Sequence, residues 1–227
     1  MVIVNIIKGW INPENYSIDA FMKFVSKNIK KGDKILDAGA GGCPYMKYFL
    51  KADYESTDIH QPTGKIYKTK HDFLCNLDNI PKKNNSYDVV INTQVLEHVE
   101  NPEKVIKELY RILKPRGKLF LTAPQGWRVH GSPYHFFNFT KHGLELLFKK
   151  AGFKTINIKP RGGIFWYLSV LIRDMPRYIV NQNKFFLPFY ILLMPLCEYL
   201  IPLIFFSLDK LDKEKVYTLG YSCYCVK

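Results

Sequence analysis

At 227 residues the chain is long enough for one sizeable core, and its length suggests one or two domains. Its 33 basic residues outnumber 20 acidic ones, giving a net charge of +13. That balance fits an anionic membrane surface, nucleic acid or acidic substrates, and equally a lysine-rich solvated surface. Five cysteines without a C-x-x-C pair argue against a disulfide framework or a zinc-type cluster, so no metal is expected and a reducing cytosol is.

The apolar stretch Met1–Ile11 is cut off by Asn12-Pro13-Glu14 and does not read as a signal peptide, having no basic leader or small-residue cleavage site. Ser17 can cap a helix whose apolar face is Ile18, Phe21, Met22, Val25 and Ile29, near 3.6 periodicity. A first strand, Lys34–Ala38, ends in an acid and runs into Gly39-Ala40-Gly41-Gly42-Cys43-Pro44. Glycines serve where a loop needs positive φ or lets a ligand approach the backbone. Pro44 suits the first position of a helix over Pro44–Leu50. A second strand, Tyr54–Asp58, delivers Asp58 about 20 residues beyond Asp37, the distance at which a carboxylate reaches ribose hydroxyls. Pro44 stands where a dinucleotide fingerprint needs its third glycine, so the loop reads as nucleoside-binding without a pyrophosphate.

A short third strand is expected near Lys65–Thr69, then a fourth over Tyr87–Asn92 after the turn cluster Asn84-Asn85-Ser86. Asn101 caps the next helix with Pro102 at its first position and a stripe of Val105, Ile106, Leu109, Ile112 and Leu113. Pro115 and Gly117 fit a type I turn ahead of strand Lys118–Ala123. A helix over Thr140–Ala151, a sixth strand over Phe153–Ile158 and a last strand over Val216–Val226 complete the pattern. Alternation of strands and helices implies parallel pairing through right-handed crossovers.

Asp37-x-Gly39-x-Gly41, Asp58, His71-Asp72, Tyr87-Asp88-Val89-Val90-Ile91 with Leu96-Glu97-His98-Val99, and Leu113-Lys114-Pro115-Arg116-Gly117 through Pro124 come in a telling order. They resemble the successive motifs of class I S-adenosylmethionine-dependent methyltransferases, nearest the type-11 small-molecule branch, over roughly residues 30–160. Cys43 replaces the frequent third glycine of that family's loop. The resemblance implies an α/β, Rossmann-like, seven-stranded and mostly parallel sheet of order 3-2-1-4-5-7-6, with helices on both faces and the last strand antiparallel. It implies S-adenosyl-L-methionine as cofactor, with Gly39, Ala40, Gly41 and Ile59 around it beside Asp37 and Asp58. Asp72 would meet the adenine amino group with Phe73 flanking the ring, and Asn92 and Gln94, at the end of the fourth strand, would also bind the cofactor.

Direct displacement at a sulfonium needs mainly alignment, and an oxygen nucleophile also benefits from a base within hydrogen-bond reach. Residues 125–140 resemble the branch's substrate-side loop, with Asn138 where arginine is frequent. His135 is the first candidate for a catalytic or orienting histidine, and His98 the second, although Glu97-His98 also reads as architectural. His130, Tyr134, Phe137 and Asn138 face the acceptor in this reading, and the phenylalanines equally read as lid packing. The Asn/Asp-Pro-Pro-Tyr/Phe signature of base methylation is absent at Asn92-Thr93-Gln94-Val95, so nucleic acid is not an expected partner.

Phe185–Leu208 is 24 residues with one charge, Glu198. Fully helical it would run roughly 36 Å, enough for a bilayer core. Pro188, Pro195 and Pro202 are expected to interrupt it. Aromatic and basic flanks suit a membrane interface. Residues 161–210 therefore read as an apolar insertion within a domain formed by 1–160 and 211–227. A shallow, broken hairpin on the cytoplasmic face, a lid or homodimer interface, and a full span all compete. The expected activity is methyl transfer to an oxygen of a lipid-linked or glycan-type small molecule. The alternatives are an inactive membrane partner of the same fold, and an RNA methyltransferase.

Overall fold

The computed structural model describes residues 9–59 and 69–227. The chain divides into two compact units. One comprises Phe21–Lys159 with Gly220–Lys227, and the other the chain up to Ala20 with Pro160–Leu219.

The sheet has strands β1 (Lys34–Ala38), β2 (Asp53–Asp58), β3 (Phe73–Leu74), β4 (Tyr87–Thr93), β5 (Leu113–Pro124), β6 (Thr155–Pro160) and β7 (Gly220–Val226). Their order is β3-β2-β1-β4-β5-β7-β6, as the sequence implied. β1 pairs in parallel with β2 and β4, and β4 with β5, whereas β7 lies antiparallel to β5. Parallel pairing gathers the ends at Ala38, Asp58 and Thr93 on one edge, where open α/β sheets bind ligands. The expected third strand falls almost wholly in 60–68, outside the described residues, and Thr69 is loop.

β5 begins earlier than expected, because Leu113 pairs with Tyr87 while Lys118 pairs with Val89. The intervening Lys114–Gly117 bulges with Arg116 at φ +65°, so the anticipated turn is an irregularity inside the strand.

Helix α1 (Pro13–Lys27) includes Ser17 in its interior, where the hydroxyl donates to the Glu14 carbonyl at 2.7 Å instead of capping. From Phe21 onward α1 belongs to the sheet unit, and Phe21 and Phe24 contact the Phe120 ring. Strand alternation sends Leu119, Leu121 and Ala123 to the opposite face, into a cluster with α2 (Pro102–Ile112) and α3 (Lys141–Ala151). Asn101 caps α2 by accepting from the Lys104 amide at 3.0 Å. Thr140 does the same for α3 from Gly143 at 3.1 Å, and Gly152 closes α3 at φ +104°. Ile106 and Leu109 of α2 are fully buried, so truncation of either to alanine should cost about 2–5 kcal/mol.

The second unit holds α4 (Ile164–Gln182), α5 (Leu187–Met194), a π-helical stretch Pro195–Leu200 and α6 (Ile201–Leu208). The prolines do not break this run. Pro188 and Pro202 sit within the first two positions of α5 and α6, and Pro195 opens the π-helical stretch, leaving one helix over Lys184–Leu211.

Candidate active site

The loop after β1 hangs on β2. The Gly39 and Ala40 amides both donate to the Thr57 carbonyl, at 2.9 and 3.0 Å. Gly39 has φ +83°, and a Cβ there would stand 2.5 Å from a Val95 methyl. Both facts require glycine. Gly41 and Cys43 are also left-handed, at φ +52° each. For Cys43 that is strained backbone. The expected helix after Pro44 shrinks to a 3₁₀ turn, Met46–Tyr48. Phe49 is pulled into the core, its ring stacked at 6.1 Å on Tyr54.

Alternation along β2 aims Tyr54, Ser56 and Asp58 to one side, and all three engage the site. The Tyr54 hydroxyl donates to Asp37 Oδ2 at 2.6 Å. Asp37 is buried, and this burial pushes its carboxyl up to about 6, against the Tyr54 hydrogen bond and with help from the Asp58 charge. Asp58 accepts from the Gly41 amide at 2.6 Å and from Ile59 at 2.7 Å, one bond per oxygen. A carboxylate has about four lone-pair sites, so capacity remains for hydroxyl donors. Asp72 Oδ2 accepts from the Ser56 amide and hydroxyl at 2.7 and 3.1 Å. Phe73 packs on the core with the Lys82 ammonium 4.4 Å from its ring centre.

At the end of β4, Asn92 is fully buried and donates to the Ala38 carbonyl at 2.8 Å. Among the described residues its Oδ1 has no hydrogen-bond partner. Gln94 takes φ +54° and turns its amide to the Thr122 hydroxyl at 3.1 Å. Sequence reasoning missed Tyr54, Ser56 and Val95. The period-2 alternation of β2 was the signal for the first two, and nothing local pointed to Val95.

The loop over residues 125–140 brings two histidines up to His98. His130 and His135 have ring centres 4.4 Å apart, and His98 lies 4.8 Å from His130. The loop is pinned to Glu97, whose carbonyl accepts from the Phe136 and Phe137 amides at 2.9 and 3.3 Å. Gly131, at φ +61°, allows the close approach, since a Cβ there would meet His98 Cε1 at 3.3 Å. A carbonyl only accepts, so His98 Nδ1 donates to Tyr134 O at 2.5 Å and His130 Nδ1 donates to Arg128 O at 3.1 Å. In the neutral rings Nε2 is then the accepting nitrogen. His135 differs. Its Nδ1 accepts from the His130 amide at 3.3 Å, so Nε2 donates to Phe137 O at 3.1 Å and both nitrogens are engaged. Burial holds His130 below the usual imidazole range, opposed by the Arg128 carbonyl and reinforced by neighbouring positive charge.

Ligand-type atoms of Glu97, His98 and His130 lie within 4.8 Å of one another, a carboxylate-and-imidazole set of the kind that can hold a metal ion. Of the remaining expected residues, Asn138 donates to the Trp127 carbonyl at 3.2 Å, and Phe137 is exposed beside Phe139.

Residues 13–158, well over half of the chain, match the family described as Methyltransferase domain. The chain belongs to this family. The methyltransferase is thus of the class I, S-adenosylmethionine-dependent kind, with S-adenosyl-L-methionine as its cofactor. An uncharacterized protein of Methanocaldococcus jannaschii is 38% identical over 97 residues, 41% of this chain and 42% of that one. Ubiquinone biosynthesis O-methyltransferase of Coxiella burnetii is 26% identical over 113 residues, 45% and 48% of the two chains. The matched region thus spans less than half the length of these relatives. A Haemonchus contortus phosphoethanolamine N-methyltransferase, solved with S-adenosyl-L-methionine, superposes with a TM-score of 0.54 at 18% identity, covering 96% of this chain and 55% of that one. At that identity the likeness shows the fold. The residues present fit the cofactor: the turn that needs glycine at Gly39, Asp58 at the loop with acceptor capacity, and the buried Asn92 Oδ1, without a partner among the described residues, lie at one edge of the sheet.

Proposed function

We propose that this methyltransferase transfers a methyl group to a hydroxyl oxygen of a small, lipid-linked or glycan-type acceptor. The observation that carries the oxygen assignment is the cluster of His98, after β4, with His130 and His135 of the loop over 125–140. Bound S-adenosylmethionine supplies a methyl group made electrophilic by its sulfonium. Asp58 would hold the ribose hydroxyls, the Gly39–Gly41 backbone would receive the methionine end, and Asp72 and Ile59 would border the adenine.

His130 Nε2 takes the proton that the acceptor hydroxyl loses as the carbon–oxygen bond forms. The lowered proton affinity of His130 keeps it neutral, and so able to accept, at neutral pH. His98 presents a second accepting nitrogen to the same cluster. His135, with both nitrogens engaged, positions His130 by holding its backbone amide. The lipid-linked class is supported by the likeness to a ubiquinone biosynthesis O-methyltransferase and by the apolar second unit.

The test is turnover of radiolabelled S-adenosylmethionine with fractionated lipid and glycan extracts, in wild type and His130→Ala. Base catalysis is typically worth about 10²–10⁴-fold, so label should enter an alkali-stable ether in the wild type and fall by that factor in the variant. Label in tRNA with no organic product would overturn the acceptor class. Loss of turnover on chelation, restored by a divalent ion, would assign the Glu97–His98–His130 set to a metal instead.

A further inference from the structure

The second unit carries an apolar surface that no soluble fold of its size needs. In the helix Lys184–Leu211, 28 residues long, Phe185 and Leu192 are 74% and 75% exposed, with Phe189 and Ile191 close behind. α4 likewise exposes Leu171, Met175 and Tyr178, spaced four and three residues apart on one face of that helix. Contiguous apolar surface on this scale marks an interaction site.

The charge pattern says what covers it. Glu198 is the one carboxylate between Met175 and Leu208, and it is buried, accepting from Arg177 Nε at 2.8 Å and from the Tyr190 hydroxyl at 2.8 Å. The face itself therefore presents no anion. Its ends present Lys184, Lys210 and Lys213, all exposed, and Tyr178 and Tyr199 sit half-exposed along it, as interfacial aromatics do. A second copy would bring like charges together, whereas anionic phospholipid neutralises them.

We propose that α4 and the Lys184–Leu211 helix form a monotopic membrane anchor lying in the headgroup–acyl boundary of an anionic bilayer. The hairpin closes at its base. The Gly163 amide donates to Asp209 Oδ1 at 2.8 Å and Ile164 to Asp212 Oδ2 at 2.8 Å, so chain enters and leaves on one side. Upright insertion would set Arg173, Asp174 and Arg177 of α4 at mid-bilayer and the polar Asn181-Gln182-Asn183-Lys184 corner at its far end. Lying in the plane leaves these groups among headgroups, with the apolar face inward.

The experiment is flotation of the full-length chain with phosphatidylcholine vesicles, with and without phosphatidylglycerol, against Phe189→Asp/Leu192→Asp. Both replaced side chains are exposed, so the variant should keep its circular dichroism. Wild type should float, better with anionic lipid and less well in high salt. The variant should lose at least about 100-fold in partitioning, from two apolar anchors. Asn183→Cys should take an impermeant maleimide added outside the vesicles. Equal flotation of the two proteins, or no flotation of wild type, would overturn the proposal. So would a vesicle-free dimer that the double variant converts to monomer, and protection of the thiol in the Asn183→Cys variant would refute the in-plane arrangement.

Discussion

Asp37→Asn is expected to stabilise the protein while weakening its cofactor site. Asp37 is buried at the end of β1, and burial raises its carboxyl from 3.8 to about 6. A group whose folded value is raised contributes its full share below the unfolded value, and that share is lost as pH rises through the folded one. Above pH 6 the native state therefore carries a carboxylate that burial disfavours. A shift of about two units corresponds to about 3 kcal/mol, an upper bound on what neutralising the group can return at pH 8. The asparagine Oδ1 can still accept from Tyr54, but its amide adds donors that need partners, so about 1–2 kcal/mol is the expected gain. At pH 4.5 the wild-type carboxyl is protonated in the native state and the difference should shrink toward zero. Urea unfolding followed by circular dichroism at the two pH values measures both quantities. A variant less stable than wild type at pH 8, or a gain equal at both pH values, would refute the burial argument.

Asp58→Ala should weaken S-adenosylmethionine binding by about 1.5–3 kcal/mol, and unchanged affinity by titration calorimetry in a folded variant would exclude the ribose role. Gly39→Ala meets a Val95 methyl at 2.5 Å at φ +83°, so about 1–3 kcal/mol of stability should be lost, and Val95→Ala should restore only the steric part. The proton affinity of His130 is lowered, so its neutral form should persist below pH 6.5. The pH profile of kcat should fall only on further acidification, and a profile unchanged in His130→Ala would remove it as the base.

The strands were legible because each carries its own marker (an acid before glycines, an acid at the second strand's end, a capped helix after the fourth), while their order came from the family resemblance those markers support. These signals are local in sequence. The features that failed depend on contacts distant in sequence. Pro44 fits a helix start, yet burial of Phe49 against Tyr54 and the left-handed Cys43 leave space for only a 3₁₀ turn. The prolines of Phe185–Leu208 read as breaks, whereas the helix runs on through them, with Pro195 opening a π-helical stretch. His135 stood out by motif, and the folded loop adds what the motif does not show, that its Nδ1 accepts from the His130 amide.

Strained backbone and costly buried polar groups coincide where β1 and β4 end. Cys43 and Gln94 are non-glycine residues at positive φ, Asp37 is a carboxylate held in burial, and Asn92 keeps a partnerless buried acceptor among the described residues. Each disfavours the folded state, by about 1–3 kcal/mol for strained backbone and by a similar amount for an unsatisfied buried atom. The opposite end of the sheet also carries strained backbone, at Asn85 and Arg116, but its charges are paired: Glu55 pairs with Lys34 and Lys82 and accepts from the Tyr87 hydroxyl. The asymmetry lies in the buried polar groups, and it separates scaffold from site, because a sequence shaped only for stability would have relieved them. It also explains why Asp37→Asn should stabilise: the carboxylate is retained for what it holds, against what it costs.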